Sequence, residues 1–254
     1  MQSTKIDLSR KYNATKMPDF KGLKAFILPG AFYSSCVGLM AEAGFQKAKS
    51  YDEADVVVFI GGEDINPKMY GEAAHPTTYF TEVRDHVEQL HYNRCVADKK
   101  VMFGICRGAQ FLHAMNGGKL WQNVNNHAGG DHFIYDIDAD CYVEATSIHH
   151  QMLRMSDDVD VVSICGSQIA TSFEDGAGTK VKVDPTNIEQ FELEIEAGAY
   201  KDTQCFFVQG HPEIGSAEYR SWTMHRLFDF MMAWGADQTA GDEFDVLPRT
   251  SIAS

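Results

Sequence analysis

Lys99-Lys100-Val101-Met102-Phe103-Gly104-Ile105-Cys106-Arg107-Gly108-Ala109-Gln110-Phe111-Leu112 decides the fold of this chain. Val101 to Phe103 is a short apolar run with the character of a buried strand. Gly104 and Gly108 stand two positions to either side of Cys106, and Phe111, Leu112 and Met115 follow at helical spacing. Strand, sharp turn and helix with a cysteine at the apex is the layout of a nucleophile elbow. Glycine suits both flanking positions, because the apex residue sits in a strained turn and nearby side chains would crowd it. A sulfur at a helix N-terminus also meets free N–H groups and the positive end of the helix dipole, which favour thiolate. Cys106 is therefore read as a nucleophile, and the other five cysteines as small buried hydrophobes.

Before the elbow the chain alternates strands and helices. Lys24 to Gly30 reads as a strand stopped by Pro29-Gly30, and Ser34 to Gly44 as a helix. Val56 to Ile60 is apolar at five successive positions, as in a central parallel strand covered on both faces. It delivers the chain into the turn-rich Gly61-Gly62-Glu63-Asp64-Ile65-Asn66-Pro67. Thr81 to Ala97 reads as a helix with Val83, Val87 and Leu90 on its buried face. This order predicts an α/β, flavodoxin-like, mostly parallel sheet flanked by helices. After residue 115, Cys141–Ser147, Val159–Cys165, Gln168–Phe173 and Gln204–Gln209 read as strands with short connections, forming a small mixed or antiparallel edge subsheet. Ser216 to Trp234 is expected to close a single domain, 1–234, as a helix. Residues 235–254 lack a periodic pattern and read as a loose tail.

Composition narrows the function classes. The 254 residues are 44% hydrophobic, enough for a packed core, and the formal net charge is −14. Such an acidic chain is poorly suited to gripping phosphate backbones, so no direct nucleic-acid partner is expected. The six cysteines are scattered without a C-x-x-C pair, which argues against a zinc framework or disulfides and for a reducing compartment. No signal peptide is visible at Met1 to Asp7, and no apolar run approaches the ~20 residues of a membrane span. A cytoplasmic protein without membrane contact is the expectation.

A thiol nucleophile needs a base and a group to orient that base. Gln209-Gly210-His211-Pro212-Glu213 supplies both at the end of an apolar strand, where open α/β sheets place their chemistry. If Pro212 keeps the backbone extended, His211 and Glu213 point the same way. Oxyanion donors are expected from the backbone N–H of Arg107 and from the Gly61-Gly62 loop, most directly Gly62. The cluster Asn125-Asn126-His127-Ala128-Gly129-Gly130-Asp131-His132 lacks helical ligand spacing. It reads as a mobile loop near the site mouth, with no metal expected. His149 and His150 are adjacent, so in a strand at most one of them would line a pocket.

Gly104-Ile105-Cys106-Arg107-Gly108-x-Gln110, Gly61-Gly62-x-Asp64-x-x-Pro67-x-x-Tyr70-Gly71-Glu72 and His211-Pro212-Glu213 together resemble the class I glutamine amidotransferase superfamily. Arg84-Asp85-x-x-Glu88, Asn116-Gly117-Gly118-Lys119-Leu120-x-Gln122 and Ser147-Ile148-His149-His150-Gln151 resemble its γ-glutamyl hydrolase branch, which includes γ-glutamyl-GABA hydrolase. Lys119 stands where that branch tends to have threonine, and Gly210 where it has tryptophan. The resemblance implies a Cys106–His211–Glu213 triad acting on a small-molecule γ-glutamyl amide through a thioester, with no cofactor. It further implies that Gln110 and the His149–His150 segment hold the glutamyl head group. A glutaminase component feeding ammonia to a partner synthetase shares all these residues and is the alternative. A non-catalytic binding protein on the same scaffold is a third reading. Oligomeric state is not legible.

Overall fold

The computed structural model describes residues 6–185, 187 and 191–239. Its strands follow in chain order as β1 (Lys24–Ile27), β2 (Gln46–Lys47), β3 (Val56–Phe59), β4 (Val101–Ile105), β5 (Leu120–Trp121), β6 (Asn123–Val124) and β7 (His132–Asp136). They continue as β8 (Cys141–Ala145), β9 (Met152–Leu153), β10 (Asp160–Cys165), β11 (Ser172–Glu174), β12 (Lys180–Lys182), β13 (Ile195–Tyr200) and β14 (Cys205–Val208). The α-helices are α1 (Tyr33–Glu42), α2 (Glu82–Asp98), α3 (Arg107–Met115) and α4 (Ala217–Thr239).

β3, β4 and β14 are buried at every position, as their unbroken apolar runs require. They pair in parallel with one another and with β1 and β2, in the order β2-β1-β3-β4-β14. Alternate side chains of the central strands serve opposite faces. Val56, Val58, Val101 and Phe103 pack with Cys36 and Leu39 of α1 and with Met224 and Leu227 of α4. Val57, Phe59 and Met102 pack on the other face with Tyr92 and Cys95 of α2 and with Phe111 and Leu112 of α3. The fold is thus the α/β, flavodoxin-like arrangement expected. The antiparallel strands β13, β10, β7 and β8 continue the same sheet beyond β14, and β12-β11-β6 form a separate three-stranded sheet.

Two expectations change. On α2, Val83, Val87 and Leu90 are exposed (73%, 42% and 56%), and the buried residues are Asp85, Glu88, Tyr92 and Cys95. Acidic side chains face inward here because a buried guanidinium, Arg107, waits for them. The last helix runs to Thr239, five residues past Trp234; the rest of the anticipated tail, 240–254, lies outside the described residues. Among the described residues no helix is long and apolar enough to cross a membrane. All six cysteines are free.

Candidate active site

Cys106 joins β4 to α3 with φ 52° and ψ −107°, a left-handed turn that holds its side chain at the head of the helix. The flanking glycines have a specific steric cause. A Cβ on Gly104 would come within 2.7 Å of the Gly108 carbonyl oxygen, and one on Gly108 would collide with the backbone of Phe59 on β3. The two glycines therefore make room for the turn and the neighbouring strand, rather than for Cys106 itself.

His211 and Glu213 lie just beyond β14, which pairs with β4. Pro212–Ile214 is a turn of 3₁₀-helix, not the extended segment anticipated; proline's fixed φ suits the first position of a helical turn. Glu213 still folds back, and His211 Nδ1–H donates to its Oε1 at 2.7 Å. The backbone N–H of His211 donates to Thr146 Oγ1 at 2.6 Å, and the Phe32 ring meets the imidazole edge-on at 5.2 Å. Burial alone would lower the pKa of His211. Hydrogen bonds to Cys106 and Glu213, and the charges of both, outweigh it and raise the pKa to about 10. His211 is thus held protonated between sulfur and carboxylate.

The Gly61-Gly62 pair makes two different close approaches. A Cβ on Gly61 would sit 2.6 Å from His211 Cε1, while one on Gly62 (φ 149°) would strike the Arg84 guanidinium. Arg84 donates to the carbonyls of Ile60 (2.9 Å) and Gly61 (3.0 Å), to Glu63 (2.9 Å) and to Glu88 (2.9 Å). Its neighbour on α2, Asp85, accepts from the Asn66 N–H at 3.0 Å and, with Glu88, pairs the buried Arg107 guanidinium. α2 thereby fixes both the glycine loop and the first residue of α3. The Arg84-Asp85-x-x-Glu88 spacing carries this clamp in sequence, but only the inward turn of the helix explains it. Gly61→Ala is expected to displace the imidazole and lower kcat roughly 100-fold, the scale of a ~1 Å misplacement. Steady-state kinetics alongside a melting curve would separate this from unfolding.

A cleft of about 250 Å³ opens on the sulfur, lined by Gly62, Glu63, Asp64, Tyr79, Cys106, Gln110, His149, His150 and Gln151 among others. It is smaller than the ~300–1,000 Å³ of sites for drug-sized ligands and suits an amino-acid head group. Of the residues anticipated for the site, Gly62, Cys106, Gln110, His149 and His150 line this cleft, while His211 and Glu213 lie beyond β14, beside β4 and Cys106. The Arg107 guanidinium is turned into the buried cluster with Asp85 and Glu88, and its backbone N–H, one of the first in α3, has no intrahelical acceptor. The two histidines depart from expectation: residues 146–150 form a loop between β8 and β9, not a strand, and both rings border the cleft. His150 Nε2 bonds Asp64 Oδ1 at 3.0 Å, which outweighs burial and raises its pKa. His149 Nδ1 bonds the Gln151 carbonyl at 2.9 Å, and burial drives its pKa down to about 3, leaving it neutral. Residues not anticipated are Glu63, Asp64, Tyr79 and Gln151. Asp64 belongs to the glycine-loop motif and Gln151 ends the Ser147–Gln151 motif, whereas Tyr79 reaches the cleft only through tertiary packing.

The model of the family described as Peptidase C26 matches residues 37–213. The chain belongs to the peptidase C26 family. Protein NtpR of Enterococcus hirae is 26% identical over 204 residues, 71% of this chain and 75% of that protein. A glutamine amidotransferase-like YvdE homolog of Lactococcus lactis subsp. cremoris is 35% identical over 72 residues, covering 28% of this chain and 38% of its own. A Thermotoga maritima structure described as PurLQS superposes with TM-score 0.57 at 14% identity, covering 82% of this chain and 99% of that one, a likeness of fold. This peptidase C26 chain is thus an enzyme of the class I glutamine amidotransferase type.

Proposed function

We propose that this peptidase C26 chain hydrolyses γ-glutamyl amides through a thioester on Cys106. The observation that carries the reading is His211 set between the Cys106 sulfur and the Glu213 carboxylate, with that sulfur opening on a cleft at the head of α3. The Cys106 sulfur attacks the side-chain carbonyl carbon, and the oxygen takes up charge opposite the N–H groups of Arg107 and Gly62. His211 gives its proton to the departing nitrogen as the C–N bond breaks. Water then attacks the thioester, His211 takes a proton from it, and C–S cleavage releases glutamate and the free thiol. Acylation removes the charge and hydrogen bond by which Cys106 raises the His211 pKa, so the same imidazole becomes a base when one is needed.

Head-group contacts are available in the cleft. Gln151 Oε1 is buried without a partner, and with Glu63 and Asp64 it offers acceptors for an α-ammonium. Gln110 and His150 offer donors for an α-carboxylate. Two consequences follow for pH. The His211 pKa is raised from 6.5 to about 10, so its stabilising contribution is complete below pH 6.5 and is lost as pH rises through 10. kcat/KM, which reports the free enzyme, is expected to hold to high pH and fall near pH 10, and Glu213→Gln to move that limb to lower pH. A pH profile unchanged in Glu213→Gln would disconnect the carboxylate from the base.

Glutamate release from glutamine, γ-glutamyl-GABA, γ-glutamylputrescine and oligo-γ-glutamate tests the substrate class. Cys106-dependent turnover of one large amide in preference to glutamine supports the hydrolase; no turnover of any of them overturns it. A glutaminase component for a partner synthetase is the second reading. It is favoured by the exposed Val83, Val87 and Leu90 on the helix that clamps the site, and by Tyr79, 74% exposed at the cleft mouth. Glutamine turnover that rises only when a synthetase is added would select it.

A further inference from the structure

Behind the cleft wall lies a second cluster of chemistry-bearing side chains that thioester catalysis does not use. Glu194 immediately precedes β13 and Glu196 is its second residue, and both carboxylates turn to the same histidines. Both are almost fully buried, at 2% and 1% exposure, against His127 (0%) and His132 at the start of β7. His132 Nε2 lies 2.9 Å from Glu196 Oε1, and His127 Nδ1 lies 3.8 Å from the same oxygen. The other nitrogen of His127, Nε2, bonds Glu194 Oε2. Glu196 Oε2 is enclosed without a hydrogen-bond partner. Among the described residues no lysine or arginine pairs with either carboxylate.

We propose that His127, His132 and Glu196 bind one divalent transition-metal ion of the Zn²⁺ class. One ligand atom from each lies within 4.8 Å of the others. The two separations from Glu196 Oε1, 2.9 and 3.8 Å, bracket the roughly 3.3 Å between ligands ~2.0–2.1 Å from a tetrahedral zinc, and the histidine nitrogens, within 4.8 Å of each other, would draw together on binding. Two imidazoles and a carboxylate are a zinc donor set, with the fourth position left to water. Glu194 supplies the outer partner that a ligating histidine usually has: with Nε2–H on that carboxylate, the Nδ1 lone pair faces Glu196 Oε1 at 3.8 Å and Ser147 Oγ at 3.3 Å, a contact the ion would replace. The ion also answers a charge problem: Glu194 accepts from Gln168 and from the N–H groups of Ile169 and Ala170, but Glu196 is buried against histidines alone, with Oε2 left without a partner. His127 is itself enclosed and is followed by the exposed Ala128-Gly129-Gly130-Asp131 loop. The ring of His149, which lines the cleft, packs against His127 at 4.8 Å with a 32° tilt, so the ion would brace that wall.

The test is a Zn²⁺ titration of the metal-stripped full chain against a chromophoric chelator, in wild type, Cys106→Ala, His132→Gln, Glu196→Gln and Glu194→Gln. One tight equivalent is expected in wild type and in Cys106→Ala, with a Tm that rises on adding Zn²⁺ and falls on chelation. Affinity should drop at least ~100-fold in His132→Gln and Glu196→Gln, and ~10–100-fold in Glu194→Gln. No tight equivalent in wild type overturns the site, as does an equivalent lost in Cys106→Ala but kept in His132→Gln, which would place zinc on the thiol. Should the cluster variants fail to fold, zinc-edge anomalous diffraction from wild-type crystals decides. A peak between His127, His132 and Glu196 supports the site, and its absence refutes it.

Discussion

Cys106→Ala is expected to abolish γ-glutamyl amide turnover, a loss on the order of 10⁶ in kcat, while leaving the fold intact. The other five thiols are poorly placed to substitute: Cys36, Cys95, Cys165 and Cys205 are buried, half-buried Cys141 opens β8 and does not line the cleft, and burial raises the pKa of all five, to about 12 for Cys95 and Cys205. Alanine keeps the Cβ that already tolerates φ 52°, so the elbow has no new strain to relieve. The substitution also removes two of the causes that hold His211 protonated, so the His211 pKa should fall well below 10 in the variant. An NMR titration of the imidazole would measure this independently of turnover. His211→Ala should lose a similar number of powers of ten, and the double variant should be little worse than either single one, because the groups act as a unit. Turnover retained by Cys106→Ala would place the nucleophile elsewhere.

Arg107→Met is expected to cost about 3–5 kcal/mol of stability, read from urea unfolding. The Arg107 guanidinium is 1% exposed and is paired by Asp85 and Glu88, which are nearly as buried. Methionine fills much of the volume but leaves Asp85 enclosed without its cation and Glu88 with Arg84 alone. Burial already pushes the Asp85 pKa up despite Arg107, so without the cation protonation becomes the easier escape. Neutralising the acids as well, in Arg107→Met with Asp85→Asn and Glu88→Gln, should recover much of the loss, a non-additivity that identifies a buried charge cluster. A cost under ~1 kcal/mol for the single variant would mean that the cluster is hydrated and does not hold the head of α3.

What is legible in the sequence is what is local. The β4–Cys106–α3 unit lies within Val101 to Met115, and His211-x-Glu213 within three residues, so patterning alone reveals the strand, the turn and the pairing. α2 is legible as a helix, but its pattern points the wrong face inward. Its apolar residues have the spacing of a buried face, and a guanidinium 22 residues from Asp85 overrides them. β13 escapes a sequence reading because Glu196 and Gly198 break its apolar run, although every one of its positions is buried. The same strand brings Glu196 to His132 across 64 residues of chain, so the cluster exists only through sheet pairing. His127, expected in a mobile loop, is fully buried for that reason. Pro212 predicts the right neighbours for a different reason: the turn, not an extended backbone, folds Glu213 onto His211.

Catalysis by this route requires a covalent γ-glutamyl intermediate at one sulfur. Acid-quenching the enzyme during turnover of its preferred γ-glutamyl amide, followed by intact-mass measurement and peptide mapping, tests it most directly. The expected result is one glutamyl adduct on the peptide bearing Cys106, accumulating in Glu213→Gln and absent from Cys106→Ala. An adduct on any other residue, or sustained turnover with no adduct on Cys106 under conditions that trap a thioester, would contradict it.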